Sequence, residues 1–169
     1  MNIILIGYRG TGKSTIGKRL ADKLWRDFVD TDLLLVERAG KTIKEIFETE
    51  GEQGFRDRES AVVMDVAARD NLVVAAGGGA VLRPENVAAL KRNGKLIWLQ
   101  ADPRTLEVRI AADAATSANR PNLTAAGGLA EIEKLLAVRM PAYQAAADAT
   151  LDVSRLSVDD AVHHLVRMV

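Results

Sequence analysis

Gly7, Gly12, Lys13 and Ser14 stand in the spacing Gly-x-x-x-x-Gly-Lys-Ser, within the stretch Leu-Ile-Gly-Tyr-Arg-Gly-Thr-Gly-Lys-Ser-Thr-Ile at residues 5–16. Glycines at these steps let the backbone curl until successive N–H groups point inward at the oxygens of an anion. A lysine directly after the second glycine reaches the outer phosphates of a nucleoside triphosphate, and the next hydroxyl suits Mg²⁺. The competing explanation is a chance match in a glycine-containing turn. The flanks argue against it. Apolar residues 3–6 read as a buried strand, and residues 15–20 open a helix whose free N–H groups and positive dipole end add to an anion site. Gly10, Thr11, Gly12, Lys13, Ser14 and Thr15 are therefore the expected contacts of a nucleoside triphosphate.

The other residues able to do chemistry lie just past predicted strands. Asp30 and Asp32 follow a short strand expected within residues 25–29. Gly77, Gly78 and Gly79 follow the buried-type run 72–76, and Asp102 follows the strand at 95–99. Between them the sequence predicts helices at about 13–24, from residue 33 or so to Gly40, from a Thr42-x-x-Glu45 capping box to about Thr49, and over 51–69. In that last helix Phe55, Ala61, Val62, Met64, Asp65 and Val66 form a partly amphipathic pattern, and Gly54 marks a place of close approach. Pro84 opens a helix to about Arg92, and Asp102-Pro103 opens another to about Ala111. Residues 112–127 are small and polar, which reads as a mobile surface loop. Helical spacing returns at Leu129, Ile132, Leu135, Leu136 and Met140, with Pro141 expected to kink or end that helix. A last strand at 150–153 precedes a helix capped by Ser157. Strand–helix alternation of this kind makes an α/β fold with a parallel sheet, helices on both faces and ligands at the carboxyl ends of the strands.

Bulk composition narrows the classes. The chain has 169 residues, enough for one well-cored domain spanning 1–169. Acidic and basic residues balance at 23 each, so no global field favours nucleic acid or an anionic membrane. Cysteine is absent, which fits a reducing compartment. The start of the chain lacks the features of a signal peptide and no apolar run is long enough for a membrane span. A cytoplasmic, single-domain, monomeric protein is the expectation.

Six stretches taken together resemble the shikimate kinase family: residues 7–15, Asp-Thr-Asp at 30–32, Gly-Glu-Gln-Gly-Phe-Arg at 51–56, Gly-Gly-Gly at 77–79, Asn-Arg-Pro at 119–121 and Arg-Met-Pro-Ala-Tyr at 139–143. The likeness is collinear over essentially the whole chain. It implies transfer of the ATP γ-phosphate to the 3-hydroxyl of shikimate, in aromatic amino-acid synthesis, with the loop residues 10–15 and Arg120 binding ATP and with Lys13, Asp32 and Arg120 catalytic. It also implies a three-layer phosphate-loop kinase fold with a five-stranded parallel sheet, substrate-binding helices at about 31–69 and a lid at about 112–127.

Each expected role has a plainer competitor. Asp30 can hold Mg²⁺ through a water and Asp32 can accept the acceptor hydroxyl, as that position does in the family; either can instead merely cap the next helix. Arg56 offers a planar donor fork for a carboxylate; the plainer alternative is a solvated helix face with an Arg56–Glu59 pair. Arg58 fits that solvated reading. Arg139 is the second carboxylate candidate by resemblance, against a role at a helix end. Together the two arginines would make a neutral protein locally positive. Gly77, Gly78 and Gly79 clear space for the substrate ring, and the middle N–H can donate to it. Arg120 is the lid cation expected to neutralise the transferring phosphoryl group. By resemblance the adenine lies between Arg109 and the stretch Val153-Ser154-Arg155. His163 and His164 are surface residues and Trp98 is core. The chain departs from the family at Trp25 and Arg26, where glycine and a small or proline residue are common, at Asn122, where leucine is usual, and in a segment from Arg109 to Arg120 that is a few residues longer. The rival readings are a gluconate-type kinase, which has no reason to carry Arg56 and Arg139, and a noncatalytic nucleotide-binding paralogue, which has no reason to keep Lys13, Asp32 and Arg120.

Overall fold

The central strand β1, Asn2–Ile6, is buried along its whole length. A strand covered on both faces must be apolar throughout, and Ile3, Ile4, Leu5 and Ile6 meet that demand. Their alternating directions feed two separate cores. Ile4 and Ile6 join Val74, Leu96 and Trp98 on one face; Ile3 and Leu5 join Val73, Ile97 and Leu99 on the other. The structure, a computed structural model, describes residues 1–113 and 127–169.

The remaining strands are β2 (Asp27–Asp30), β3 (Leu72–Ala75), β4 (Gly94–Gln100) and β5 (Ala149–Asp152). All pairings are parallel, in the order β2-β3-β1-β4-β5. Successive connections leave β1 toward β3 on one side and β4 on the other, which opens a crevice at its carboxyl end. The helices are α1 (Lys13–Leu24), α2 (Thr31–Ala39), α3 (Ile43–Ala67), α4 (Pro84–Arg92), α5 (Pro103–Ala112), α6 (Gly128–Ala146) and α7 (Val158–Met168), with a 3₁₀ turn at Ala80–Leu82. Helices α1 and α7 cover one face of the sheet. Helices α2, α3, α4 and α6 contribute to the core of the other. Among the described residues no helix is long and apolar enough to cross a membrane.

Several local expectations are corrected. Trp25 does not open a strand. It caps α1 in the left-handed region, at φ 55°, and β2 begins at Asp27. The two helices expected around residue 50 are both present: α3 breaks at Gly51, whose φ of 70° and ψ of −177° leave the helix. That break explains Gly54: a Cβ there would lie 2.5 Å from the Cβ of Glu50, so the close neighbour is the preceding turn and not a ligand. The inward face of α3 is Phe55, Val62, Val63 and Val66, whereas Ala61, Met64 and Asp65 are exposed. Pro141 does not end α6, which continues to Ala146. Its missing N–H would have bonded the carbonyl of Ala137, an exposed residue whose carbonyl water can satisfy. The capping box at Thr42 and Glu45 forms as expected, and so does the Ser157 cap of α7. Trp98 is buried, and His163 and His164 are exposed on α7.

Candidate active site

The loop between β1 and α1 turns through three glycines with positive φ: Gly7 at 141°, Gly10 at 85° and Gly12 at 86°. Gly7 and Gly10 are also confined. A Cβ on Gly7 would lie 2.5 Å from the Leu99 carbonyl oxygen, and one on Gly10 2.9 Å from Ile110 Cγ1. Gly12 is the N-cap of α1 and has no side chain to satisfy the first N–H groups, and no acidic residue stands in the first turn. That helix end thus leaves its first N–H groups open to an anion. Thr11 Oγ1 donates to the Tyr8 carbonyl at 2.9 Å. Lys13 Nζ spans the mouth of the loop, donating to the carbonyls of Gly7 at 2.7 Å and Tyr8 at 2.9 Å.

Asp30, at the end of β2, divides its two oxygens between two tasks. Oδ1 caps α2, accepting from the N–H of Asp32 at 3.0 Å and Leu33 at 3.2 Å. Oδ2 accepts a hydrogen bond from Ser14 Oγ. The capping alternative is therefore true of Asp30 without excluding a site role, because the second oxygen faces the phosphate loop. Arg109 lines this same cleft and donates from Nη2 to the Val153 carbonyl at 2.8 Å. Arg155 is exposed and lines a neighbouring groove beside Asp102 and Pro103.

A second cavity adjoins the first, and Asp32 lines both. Into it project Arg56 from α3 and Arg139 from α6, both buried, at 8% and 7% exposure. Arg56 Nη1 donates to Glu59 Oε2 at 2.7 Å, and its guanidinium lies 5.2 Å from the Phe55 ring centre. Glu59 is itself only 2% exposed. Burial pushes its carboxyl above the ordinary value and the charge of nearby Asp32 adds to this, while Arg56 and Arg139 oppose it. Arg139 forms no ion pair among the described residues; it lies 5.6 Å from the Tyr8 ring centre.

The glycine triplet lets these charges gather. A Cβ on Gly77 would lie 2.7 Å from Asp32 Oδ1 and 2.8 Å from Glu59 Oε1, and one on Gly79 would overlap the Arg56 guanidinium. Gly78 has more room, with Arg139 Nη1 3.4 Å away. The triplet is pinned at its first and middle residues. Gly77 N–H donates to Thr31 Oγ1 at 2.9 Å, and Tyr143 Oη donates to the Gly78 carbonyl at 2.6 Å. Burial pushes the Tyr143 phenol up to about 12, so it stays a donor throughout the physiological range.

A family model described as shikimate kinase matches residues 9–169. A shikimate kinase of Symbiobacterium thermophilum is 46% identical over 166 residues, covering 98% of this chain and 94% of its own. The chain belongs to the shikimate kinase family. Two solved structures agree with the relationship. The shikimate kinase of Acinetobacter baumannii in complex with shikimate is 35% identical, with a TM-score of 0.92 over 99% of this chain and 91% of that one. The enzyme from Bacteroides thetaiotaomicron is 32% identical, with a TM-score of 0.86 over 99% and 97%. The family is one of ATP-using phosphotransferases, and the five-stranded parallel sheet of this chain is its fold.

The residues singled out in sequence divide accordingly. Lys13, Ser14, Asp30 and Arg109 meet at the first cleft; Asp32, Arg56, Gly78, Gly79 and Arg139 meet at the second. Arg120 lies outside the described residues, as does most of the expected lid. Arg58 pairs with Glu50 near the surface, as the solvated reading held. Arg56 departs from that reading: its pair with Glu59 exists but is buried. In this pocket Arg9, Arg56 and Arg139 face Asp32 and Glu59, so the positive charge is only partly offset. Sequence reasoning missed Glu59 as a site residue, although a signal was there. Phe55, Glu59, Val62 and Val66 fall at helical spacing, and all four are buried. Tyr8, Arg9 and Phe47, which also line the second cavity, carried no such signal.

Proposed function

We propose that the chain transfers the γ-phosphoryl group of ATP to the 3-hydroxyl of shikimate, giving shikimate 3-phosphate and ADP in the route to aromatic amino acids. What supports this most is the convergence of buried Arg56 and Arg139 with Asp32 in a cavity that adjoins the phosphate loop. A ligand held there would present a carboxylate to two guanidiniums and a hydroxyl to a carboxylate.

In this reading the loop N–H groups, the α1 N-terminus and Lys13 hold the triphosphate. Asp32 accepts the acceptor hydroxyl and orients it. The new O–P bond forms as the bond from Pγ to the ADP oxygen breaks, and the hydroxyl proton passes to Asp32 or to water. Positioning matters more than base strength in a loose phosphoryl-transfer transition state. Arg56 and Arg139 bind the substrate carboxylate, and the ring lies against Gly78, whose N–H can donate to it, while the space at Gly77 and Gly79 is taken by Asp32, Glu59 and Arg56 and not by the ring. Ser14 and Asp30 bring a hydroxyl and a carboxylate oxygen together at the phosphate cleft, a hard donor set that fits Mg²⁺ with most of its waters kept. Bound there, Mg²⁺ would offset negative charge on the phosphates. Arg120 would supply a further cation from a lid at about 112–127, and adenine would lie between Arg109 and Arg155. We take the chain as one domain over 1–169, cytoplasmic, monomeric, and with ATP and shikimate rather than nucleic acid or membrane as partners.

A coupled ADP-release assay with ATP and Mg²⁺ tests this, comparing shikimate with gluconate and nucleoside monophosphates. Turnover with shikimate alone is expected, and its absence overturns the reading. Asp32→Asn should abolish turnover and leave ATP binding intact. Arg56→Ala should raise the shikimate KM by about 10- to 100-fold, one charge-assisted hydrogen bond being worth about 1.5–3 kcal/mol.

A further inference from the structure

Arg9, the residue before Gly10 in the phosphate loop, lies on the wall that the two clefts share. It lines the acceptor cavity with Asp32, Arg56 and Arg139, and the phosphate cleft with Lys13 and Ser14. Its side chain is largely buried beside the Tyr8 phenol, with Nη2 at a long 3.4 Å from Oε2 of Glu131. Glu131 is 1% exposed and sits in the first turn of α6. The Nε of Arg9 is buried with no hydrogen-bond partner among the described residues. A guanidinium offers five N–H donors in a fixed fork. Leaving one of them buried and unpaired is unfavourable until an acceptor arrives. The loop does not need this arginine for its shape, which the three glycines and the Thr11–Tyr8 bond already set.

We propose that Arg9 is a further catalytic residue, its guanidinium binding the phosphoryl group while that group crosses from ATP to the acceptor. The inference rests on reading the second cavity as the shikimate site. Arg56 and Arg139 approach that cavity from α3 and α6, whereas Arg9 comes from the loop that holds the phosphates. It therefore stands between the atom that leaves and the atom that receives. The group is in contact with Arg9 before transfer as the γ-phosphate and after transfer as the product ester. Arg9 keeps its protons throughout and acts through charge. Glu131 is a positioning residue that holds the fork at the junction.

Steady-state kinetics and calorimetric binding of shikimate and shikimate 3-phosphate test this in Arg9→Met and Arg9→Lys, with thermal melts as a check on folding. Arg9→Met should lower kcat about 100-fold, the size found when one preorganised transition-state donor is lost, and leave the shikimate KM within about threefold. It should weaken shikimate 3-phosphate about tenfold, one lost hydrogen bond to a charged group, and leave shikimate binding unchanged. Arg9→Lys should recover part of both losses, and serves alone if the methionine variant does not fold. Glu131→Gln should lower kcat less, and add nothing to Arg9→Met. An unchanged kcat in the folded variants overturns the proposal. So does equal weakening of shikimate and its phosphate, which would put Arg9 on the acceptor carboxylate. A wild-type protein without shikimate turnover would instead sink the reading on which the proposal stands.

Discussion

Glu59 occupies a place where a charged carboxylate is unfavourable. Its folded-state pKa is raised, first by burial, so the ionised form is less well accommodated folded than unfolded. The sign follows from linkage. The group's full contribution to stability is present below the ordinary value of 4.5 and declines as pH rises above it toward the raised folded value. Glu59→Gln, which keeps the shape and the acceptor for Arg56, should therefore be no less stable than the parent at pH 7. Its stability should also vary less with pH above 4.5, as thermal melts across pH would record. The same substitution should weaken the hold on Arg56 and raise the shikimate KM about tenfold, roughly 1.4 kcal/mol. A large loss of stability at pH 7 would mean that the pair with Arg56 outweighs the cost of burial. Site residues that cost stability are where sequence rules and function diverge.

At the scale of elements, periodicity carried most of the fold into view. Alternating cores along β1, the cap at Thr42 and the proline at the start of α4 and of α5 each act over a few residues, so a short window reveals them. Trp25 shows the limit. Read by composition it belongs in a strand, yet the end of α1 needs a left-handed residue, and the usual glycine of the family at this point meets that need. Trp25 is 92% exposed and packs against nothing that would be missed. Trp25→Gly should raise stability by about 1 kcal/mol, or about 2–4 °C in melting temperature, by relieving the left-handed strain. The glycine triplet makes a sharper prediction. Gly77→Ala pushes a methyl against two carboxylates and should cost most of the shikimate turnover with ATP binding retained. Gly78→Ala, with its nearest neighbour at 3.4 Å, should be milder. Kinetics in which Gly78→Ala is the worse of the two would contradict the packing described for the triplet.

Over the whole molecule, the contacts that escaped the sequence are those that join distant segments. Arg9 and Glu131 are 122 residues apart, and the Tyr143 bond to Gly78 spans 65. Nothing in either local window points to its partner; only the order of strands brings them together. The amino group of Met1 bonds Asp70 in the same way, and Asn93 adds a second bond to that carboxylate, holding its pKa down to about 2. A depressed carboxylate contributes stability above its unfolded value of 3.8 and loses it as pH falls toward 2. Asp70→Asn should thus flatten the acid limb of the stability profile between those values, and an unaltered limb would show that the contact does not persist in solution. Helix α6 gathers several of these long-range links. Near its start Ile132 packs with Tyr8 of the donor loop. Arg139, eight residues beyond Glu131 and so about 12 Å further along, stands in the cavity with Asp32 and Arg56. A helix of this length does not stretch, so it works as a ruler laid across two measuring points. Whatever factor bound nucleotide adds to the affinity for acceptor, bound acceptor must return to the nucleotide in equal measure.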